Sequence, residues 1–428
     1  MSEAVQKKGG FHYAYLIIAS CIVIVCCPVA MTLSCSGIFY TPVATYFNVP
    51  RASVTLYFTI LNIGMVCTLP IVGKLMSKVD VRIIMTACVL IDGLSMLAMS
   101  QISELWQMYI CGAFLGIGTA PLLSLCTPSL VNAWCRKKVG FFIGLCMAFT
   151  GIGGVIFNPV GTYFINMGPE GWRMGYMAYG IIMMVCALPF TIFVLRGKPE
   201  DKGLLPYGYE EAQAEEGTKQ TAALTGISAS KAMKSPVFYA CALICLLFAL
   251  NQTIYQFIPS YCTSFKDTFP EIAGLTGLAA SACMAGQAIG KVVLGIVNDK
   301  SARLGLFLCV GCGLVGVALF WFIPTIAAVM LFACFSFGFV YAGMNVETPL
   351  ITRTVFGSRD YTNIWSRVSM VGTLGGVIAP TLFGVLVDMP NGFYLIFGTG
   401  FVCMALIIVL GLFALGKAKE MQAQFTEE

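Results

Sequence analysis

The sequence predicts an all-helical membrane protein whose twelve spans form two related halves of six. Three observations carry that expectation. The chain is 58% hydrophobic and only 11% charged, whereas soluble domains carry roughly 25% charged residues. Its apolar residues gather into 12 stretches, most of them near the roughly 20 residues that a helix needs to cross a bilayer. The same short motifs also return at a fixed offset of about half the chain length, the mark of an internal repeat.

The stretches are 12–40, 53–76, 83–100, 105–131, 139–165, 172–195, 236–263, 272–298, 304–322, 326–352, 361–387 and 391–416. In lipid every backbone polar group must be satisfied internally, so only helices and closed barrels span a membrane; these long runs lack the two-residue alternation of barrel strands. The first run is too long for the apolar part of a signal peptide, and no small-residue cleavage site follows it. The second ends in Gly73-Lys74-Leu75-Met76-Ser77-Lys78, and the eighth ends in Gly295-Ile296-Val297-Asn298-Asp299-Lys300, 222 positions later. Thr127-Pro128 closes the fourth and Thr348-Pro349 the tenth, 221 apart. Gly153-Gly154-Val155-Ile156 in the fifth returns as Gly375-Gly376-Val377-Ile378 in the eleventh, 222 apart, and Pro159 returns as Pro380. The repeat implies two parallel bundles, 1–195 and 236–428. Between them, 196–235 is polar, mixed in charge and Gly/Pro-bearing, and reads as a cytoplasmic linker, partly helical near its C-terminal end.

Charge placement orients the spans. With the N-terminus inside, 20 Lys and Arg fall on inside loops and tails and three, Arg51, Arg173 and Lys266, outside. Both termini are therefore expected in the cytoplasm. The basic residues are dispersed over short loops, so no nucleic-acid partner is expected. The 19 cysteines lie mostly within apolar stretches, and the single histidine is His12. No zinc spacing arises, and the thiols read as small packing groups. No GxxxxGK[ST] nucleotide loop is present. The expectation is a non-enzymatic protein with no cofactor or metal, in contact with the lipid bilayer and monomeric.

Two parallel six-helix halves are the arrangement described for the major facilitator superfamily, and local motifs extend the resemblance. That family carries G-x-L-x-D-[RK]-x-G-[RK]-[RK] between its second and third helices. Here 73–82 reads GKLMSKVDVR: Gly73, Leu75, Lys78 and Arg82 fit, while Ser77 stands at the acid and Asp80 at the second glycine. The C-terminal copy keeps its acid as Asp299, between Gly295 and Lys300. The resemblance implies the major facilitator fold, with inside-closing contacts that lean on the C-terminal copy. Within the family, the stretch NAWCRKKVG at 132–140 before a Gly/Pro-punctuated span, and PEDKGLLPYG at 199–208, resemble the monocarboxylate porter and oxalate–formate antiporter branch. Members of that branch carry a basic residue in the eighth helix, four positions before the glycine of the signature repeat. Lys291 holds that position, where relatives usually have Arg. Arg367 matches the basic residue of the eleventh helix in oxalate–formate exchangers. The first-helix motif of the animal monocarboxylate carriers is not evident.

Embedded polar residues point to chemistry because a charge at mid-bilayer costs at least about 2.5 kcal/mol. Lys291 lies roughly nine residues, or ~13 Å, inside Lys300, and Arg367 about seven residues, ~10 Å, inside the eleventh span. Long basic side chains snorkel part of such distances, and an ion pair with Glu347 is a second structural account. Their repeat-related positions are Leu69 and Leu145, so the fold alone does not demand either cation. The functional reading makes them carboxylate ligands. Tyr40 of the first span and Tyr255, Asn251, Gln252 and Gln256 of the seventh are candidates to complete that site, or interhelical hydrogen bonds. Glu347, in NVETPL, is a candidate for proton coupling or for an ion pair with Arg353. Asp92, in LIDGLS, is a candidate for a helix-packing hydrogen bond or the same coupling. The reading is a secondary transporter of a small organic anion, an antiporter or proton symporter of the plasma or bacterial cytoplasmic membrane. A neutral-solute transporter, a drug exporter of the same superfamily, and a non-translocating membrane sensor remain as alternatives.

Overall fold

The computed structural model describes residues 12–76, 78–136, 139–209, 227–357 and 360–423, without the side chains at 70, 73, 74, 139, 140, 299, 362, 419, 422 and 423. Among these residues twelve helices are long and apolar enough to cross a membrane. We number them α1 (Ala14–Ser34), α2 (Arg51–Leu69), α3 (Val81–Met99), α4 (Leu105–Trp134), α5 (Phe141–Ile165), α6 (Gly171–Val194), α7 (Pro236–Thr263), α8 (Thr276–Asn298), α9 (Ala302–Phe322), α10 (Ala327–Phe356), α11 (Asn363–Val387) and α12 (Gly392–Ala418). A further short helix, Gly37–Phe47, follows α1 after a bend. The apolar stretches thus become helices throughout, as lipid requires.

The described residues divide into two compact units. One is drawn from Met1–Ser36 and Ile60–Ala222, the other from Gly37–Thr59 and Ala223–Glu428. The division leaves chain order at one place, because Thr41, Arg51 and Thr59 form their hydrogen bonds with residues of α7 and α11 or just beyond α11.

In the first unit, small residues let helix backbones meet. A side chain at Gly116 of α4 would strike the backbone of Leu61 in α2, and one at Gly64 would strike Ala113. Gly153 of α5 lies against Cys26 and Ala30 of α1. Without water to expel between apolar helices, such van der Waals contact is a main source of cohesion. Buried polar groups bridge the same contacts. Asn158 of α5 donates to Gly154 O (2.7 Å) and to Ser34 O (3.3 Å), where α1 ends. Tyr179 of α6 donates to Phe157 O at 2.6 Å. Trp134, fully buried at the end of α4, donates through Nε1 to Arg196 O at 2.8 Å.

The second unit is built around α10, which packs on α7, α8, α9 and α12. Its closest approach is to α8, glycine on glycine: a Cβ at Gly338 would collide with the α8 backbone at Cys283 and Gln287, and one at Gly286 with the α10 backbone at Phe335. Gly375 of α11 lies against Leu246 and Ala249 of α7.

The expected linker, 196–235, is tied at both ends. Tyr207 exchanges backbone hydrogen bonds with Trp134 and Arg136 at 2.8 Å each, beside the end of α4. Ile227 N–H donates to Phe356 O at 3.0 Å, and Ala229 N–H to Asp360 Oδ2 at 3.0 Å. Its C-terminal part holds a one-turn helix, Ala229–Ala232. Residues 210–226 lie outside the described residues.

Candidate functional site

Both repeats interrupt their first helix at the same place. The first spanning segment bends at Cys35–Ser36, between Ser34 and the short helix Gly37–Phe47. The seventh tightens into a 3₁₀ turn at Tyr255–Phe257 before continuing as Ile258–Thr263. Gln256 lies 221 positions after Cys35, which is the offset of the repeat. Discontinuous spanning helices with irregular backbone are where transporters of this architecture build their binding sites.

At these breaks the structure joins two of the expected site residues. Tyr40, fully buried, donates to Gln256 Oε1 at 2.6 Å. One turn on, Thr41 donates to Ser260 Oγ at 2.7 Å. Gly37 makes the approach possible, since any Cβ there would enter the backbone of Gln256. Tyr255, 1% exposed, sets its ring edge-to-face against Tyr341 of α10 at 5.3 Å. Asn251 is fully buried, donates to Leu247 O at 3.1 Å and lies against Gly400 of α12. Gln252 is half-buried. In this state the Tyr40 hydroxyl is held by Gln256, and Tyr255 has almost no exposed surface.

Further hydrogen bonds of the same unit lie along the start of α2. Thr59 donates to Val377 O at 2.9 Å and meets Thr381 Oγ1 at 2.8 Å. Asp388, just past α11, accepts from Arg51 Nη1 at 3.4 Å and from the Ala52 amide at 3.2 Å, satisfying an N–H of the first turn of α2. Removing a cap and a partly exposed ion pair costs about 1 kcal/mol. Asp388→Ala is accordingly expected to speed amide exchange over residues 52–55 several-fold, with α12 amides unchanged, as hydrogen-exchange mass spectrometry reads it.

The two embedded cations sit differently. Lys291 is half-buried in the second half of α8. Arg367 is exposed on α11; it contacts Met233 Sδ through Nη1, and no carboxylate pairs with it among the described residues. Arg367 belongs to a polar stripe that composition conceals. Asn363, Ser366 and Thr373 are also exposed, and Ser366, Ser369 and Thr373 each donate a hydroxyl to the backbone three or four residues earlier. The only sequence signal of that stripe is its three-to-four-residue spacing, which singled out no residue beyond Arg367.

The acids are buried. Asp92 Oδ2 accepts from Thr119 Oγ1 of α4 at 2.9 Å, and Gly118 leaves room for the carboxylate. Glu347 Oε1 accepts from Asn298 Nδ2 of α8 at 2.7 Å. That amide was not anticipated: the sequence pointed to Arg353 or to the embedded cations. No ion pair joins Glu347 to any of them among the described residues.

The signature positions fall at the ends of α2 and α8. Lys78 is exposed in the turn after α2. Arg82, in the first turn of α3, bonds Asp80 Oδ2 through Nη2 at 2.7 Å and Nε at 3.0 Å, and its own amide donates to Asp80 Oδ1 at 2.9 Å. The acid at the glycine position thus caps α3, and the Arg82 guanidinium holds its carboxyl below the usual range. Gly295 meets nothing that a Cβ would touch, and Lys300 is exposed. The side chains at 73 and 299 are outside the description.

Comparison with known proteins places this architecture. The sequence profile of the Major Facilitator Superfamily matches residues 22–355. The chain is 22% identical over 357 residues to the MFS transporter asaE of Aspergillus flavus, covering 80% of this chain and 75% of that one. It is 21% identical over 350 residues to the uncharacterized MFS-type transporter YhjX of Escherichia coli, covering 80% and 81%. Among solved structures, it superposes on a bacterial homolog of the human lysosomal transporter Spinster with a TM-score of 0.67 at 14% identity, covering 99% of both chains. On the nucleoside transporter NupG the TM-score is 0.68 at 13% identity, covering 95% of this chain and 99% of that one. At these identities the superpositions speak for the fold. With twelve spanning helices and a profile match over most of its length, the chain belongs to the Major Facilitator Superfamily and is a multi-pass, non-enzymatic membrane transporter.

Proposed function

We propose that this transporter carries a small organic anion, a mono- or dicarboxylate, by alternating access, as an antiporter or proton symporter like the monocarboxylate porter and oxalate–formate branch it resembles. The observation that carries the reading is Arg367. An exposed guanidinium in a spanning helix, in contact with an uncharged thioether and with no carboxylate partner among the described residues, is a positive charge awaiting its counterion. Lys291 on α8 supplies a second charge that the repeat-related Leu69 shows the fold does not need. An anionic substrate offsets the desolvation of both through charge-assisted hydrogen bonds. Arg367 suits bidentate carboxylate binding, and Lys291 acts as a point charge. Tyr40, Tyr255, Asn251, Gln252 and Gln256 line the helix breaks, and release of the Tyr40–Gln256 bond exposes a donor and an acceptor together. In this reading the bundles 1–195 and 236–428 rock about the site, both termini face the cytoplasm, and the working unit is a monomer.

The test is counterflow in proteoliposomes preloaded with mono- and dicarboxylates, following labelled oxalate, formate, lactate and pyruvate. Saturable exchange of at least one acid is expected. No carboxylate uptake by folded protein overturns the reading and turns attention to a neutral solute.

A further inference from the structure

Two buried acceptors without partners lie on the two side chains of one hydrogen bond. Asn298 Nδ2 donates to Glu347 Oε1 at 2.7 Å, between the end of α8 and the middle of α10. Neither Glu347 Oε2 nor Asn298 Oδ1 has a hydrogen-bond partner among the described residues, and Glu347 is fully buried. From the helices packed against α10, the titratable group facing Glu347 is the Cys309 thiol of α9, which itself donates to Phe339 O at 3.3 Å. No cation pairs with the carboxyl among the described residues: neither Lys291 nor Lys300 on and after α8, nor Arg303 on α9, Arg353 on α10 or Arg367 on α11.

An ionised carboxylate there holds a buried charge on one neutral donor, which a low-dielectric interior resists. It also leaves two acceptors and no hydrogen to share between them. A single proton resolves both deficits. A protonated carboxyl has one O–H donor, and a primary amide has both a donor and an acceptor, so the two groups can close a ring of two hydrogen bonds. Asp92, the other buried acid, has a threonine in place of an amide and offers no such closure.

We propose that Glu347 and Asn298 form a proton-binding site, a neutral acid–amide pair in which Glu347 Oε2–H donates to Asn298 Oδ1 while Asn298 Nδ2–H donates to Glu347 Oε1. The proton arrives from hydronium, leaving water, and returns to water when the pair is opened to solvent. Loading and unloading this site couples transport to protons: one monocarboxylate moving with one proton carries no net charge. The coupling role rests on the carboxylate reading above; the proton site does not.

Infrared difference spectra of the full chain in liposomes, taken between acid and alkaline pH, test the site. A titrating carbonyl band of a protonated carboxyl is expected in wild type and is lost in Glu347→Gln, an isosteric change whose folding a thermal melt verifies. Asn298→Ala, which keeps the acid, shifts the band to higher frequency because the carbonyl loses its donor. A band that survives Glu347→Gln, no titrating band in wild type, or a band unmoved in Asn298→Ala overturns the pair. The coupling is read from an internal pH dye during labelled-carboxylate uptake. Uptake with acidification in wild type and without it in Glu347→Gln is expected, and equal acidification in both overturns the role. If no carboxylate moves in wild type, the anion reading falls while the spectra still decide the proton site.

Discussion

Lys291→Gln is expected to abolish carboxylate counterflow while leaving the protein folded. Glutamine keeps most of the side-chain length and a hydrogen-bond donor but removes the charge. Truncating one member of a desolvated, hydrogen-bonded charge pair costs 2–5 kcal/mol in well-studied interfaces. A loss of about 3 kcal/mol corresponds to roughly 100-fold in affinity, which in a counterflow assay reads as no saturable uptake. Lys291→Arg retains the charge on a longer, planar head and is expected to keep measurable exchange with a changed preference among acids. Arg367→Gln should fall on the same side as Lys291→Gln. The measurement is labelled-acid counterflow with thermal unfolding run in parallel. Exchange that persists in Lys291→Gln returns the lysine to a packing role on α8.

The second large effect concerns packing. Gly338→Leu is expected to prevent accumulation of folded protein, and Gly338→Ala to destabilise it by about 1–3 kcal/mol, the usual cost of forcing extra atoms into a packed interior. The physical reason is that a Cβ at 338 meets main chain. Gln287 N lies 2.6 Å and Gly286 C 2.7 Å from it, with Cys283 O nearer still, and backbone atoms of a spanning helix cannot rotate aside as a side chain does. Gly295→Ala serves as the contrast on the same helix pair. Nothing lies within 4 Å of its Cβ, and its melting temperature is expected to match wild type. Thermal unfolding in detergent with size-exclusion profiles checks both. Equal behaviour of the two alanine variants would remove close backbone contact as the reason for Gly338.

The contrast between these glycines shows what could be read in advance. Gly295 belongs to a motif, and the structure gives it open space. Gly338 belongs to no motif, and the structure sets it directly against the backbone of α8. Gly116, Gly118, Gly153 and Gly375 also meet neighbouring elements, at Leu61, Asp92, Cys26 and Leu246. A small residue in a span announces a close approach, but the partner depends on how helices far apart in the chain are laid together. The Glu347–Asn298 bond links positions 49 apart, and Arg51–Asp388 links positions 337 apart; neither pairing has a local signal. Asp80 is a nearer case. In sequence it is a departure from the signature, and only backbone geometry shows that the acid caps α3 and holds Arg82.

The helical class, the twelve spans and the repeat are legible in the residues alone, because an apolar run in lipid satisfies its backbone within itself. The helix breaks at Cys35–Ser36 and Tyr255–Phe257, the burial of Tyr40 and Tyr255, the exposure of Arg367 and the partner of Glu347 were decided by tertiary structure. Each depends on which polar groups packing brings within about 3 Å, a distance that no local pattern of residues encodes.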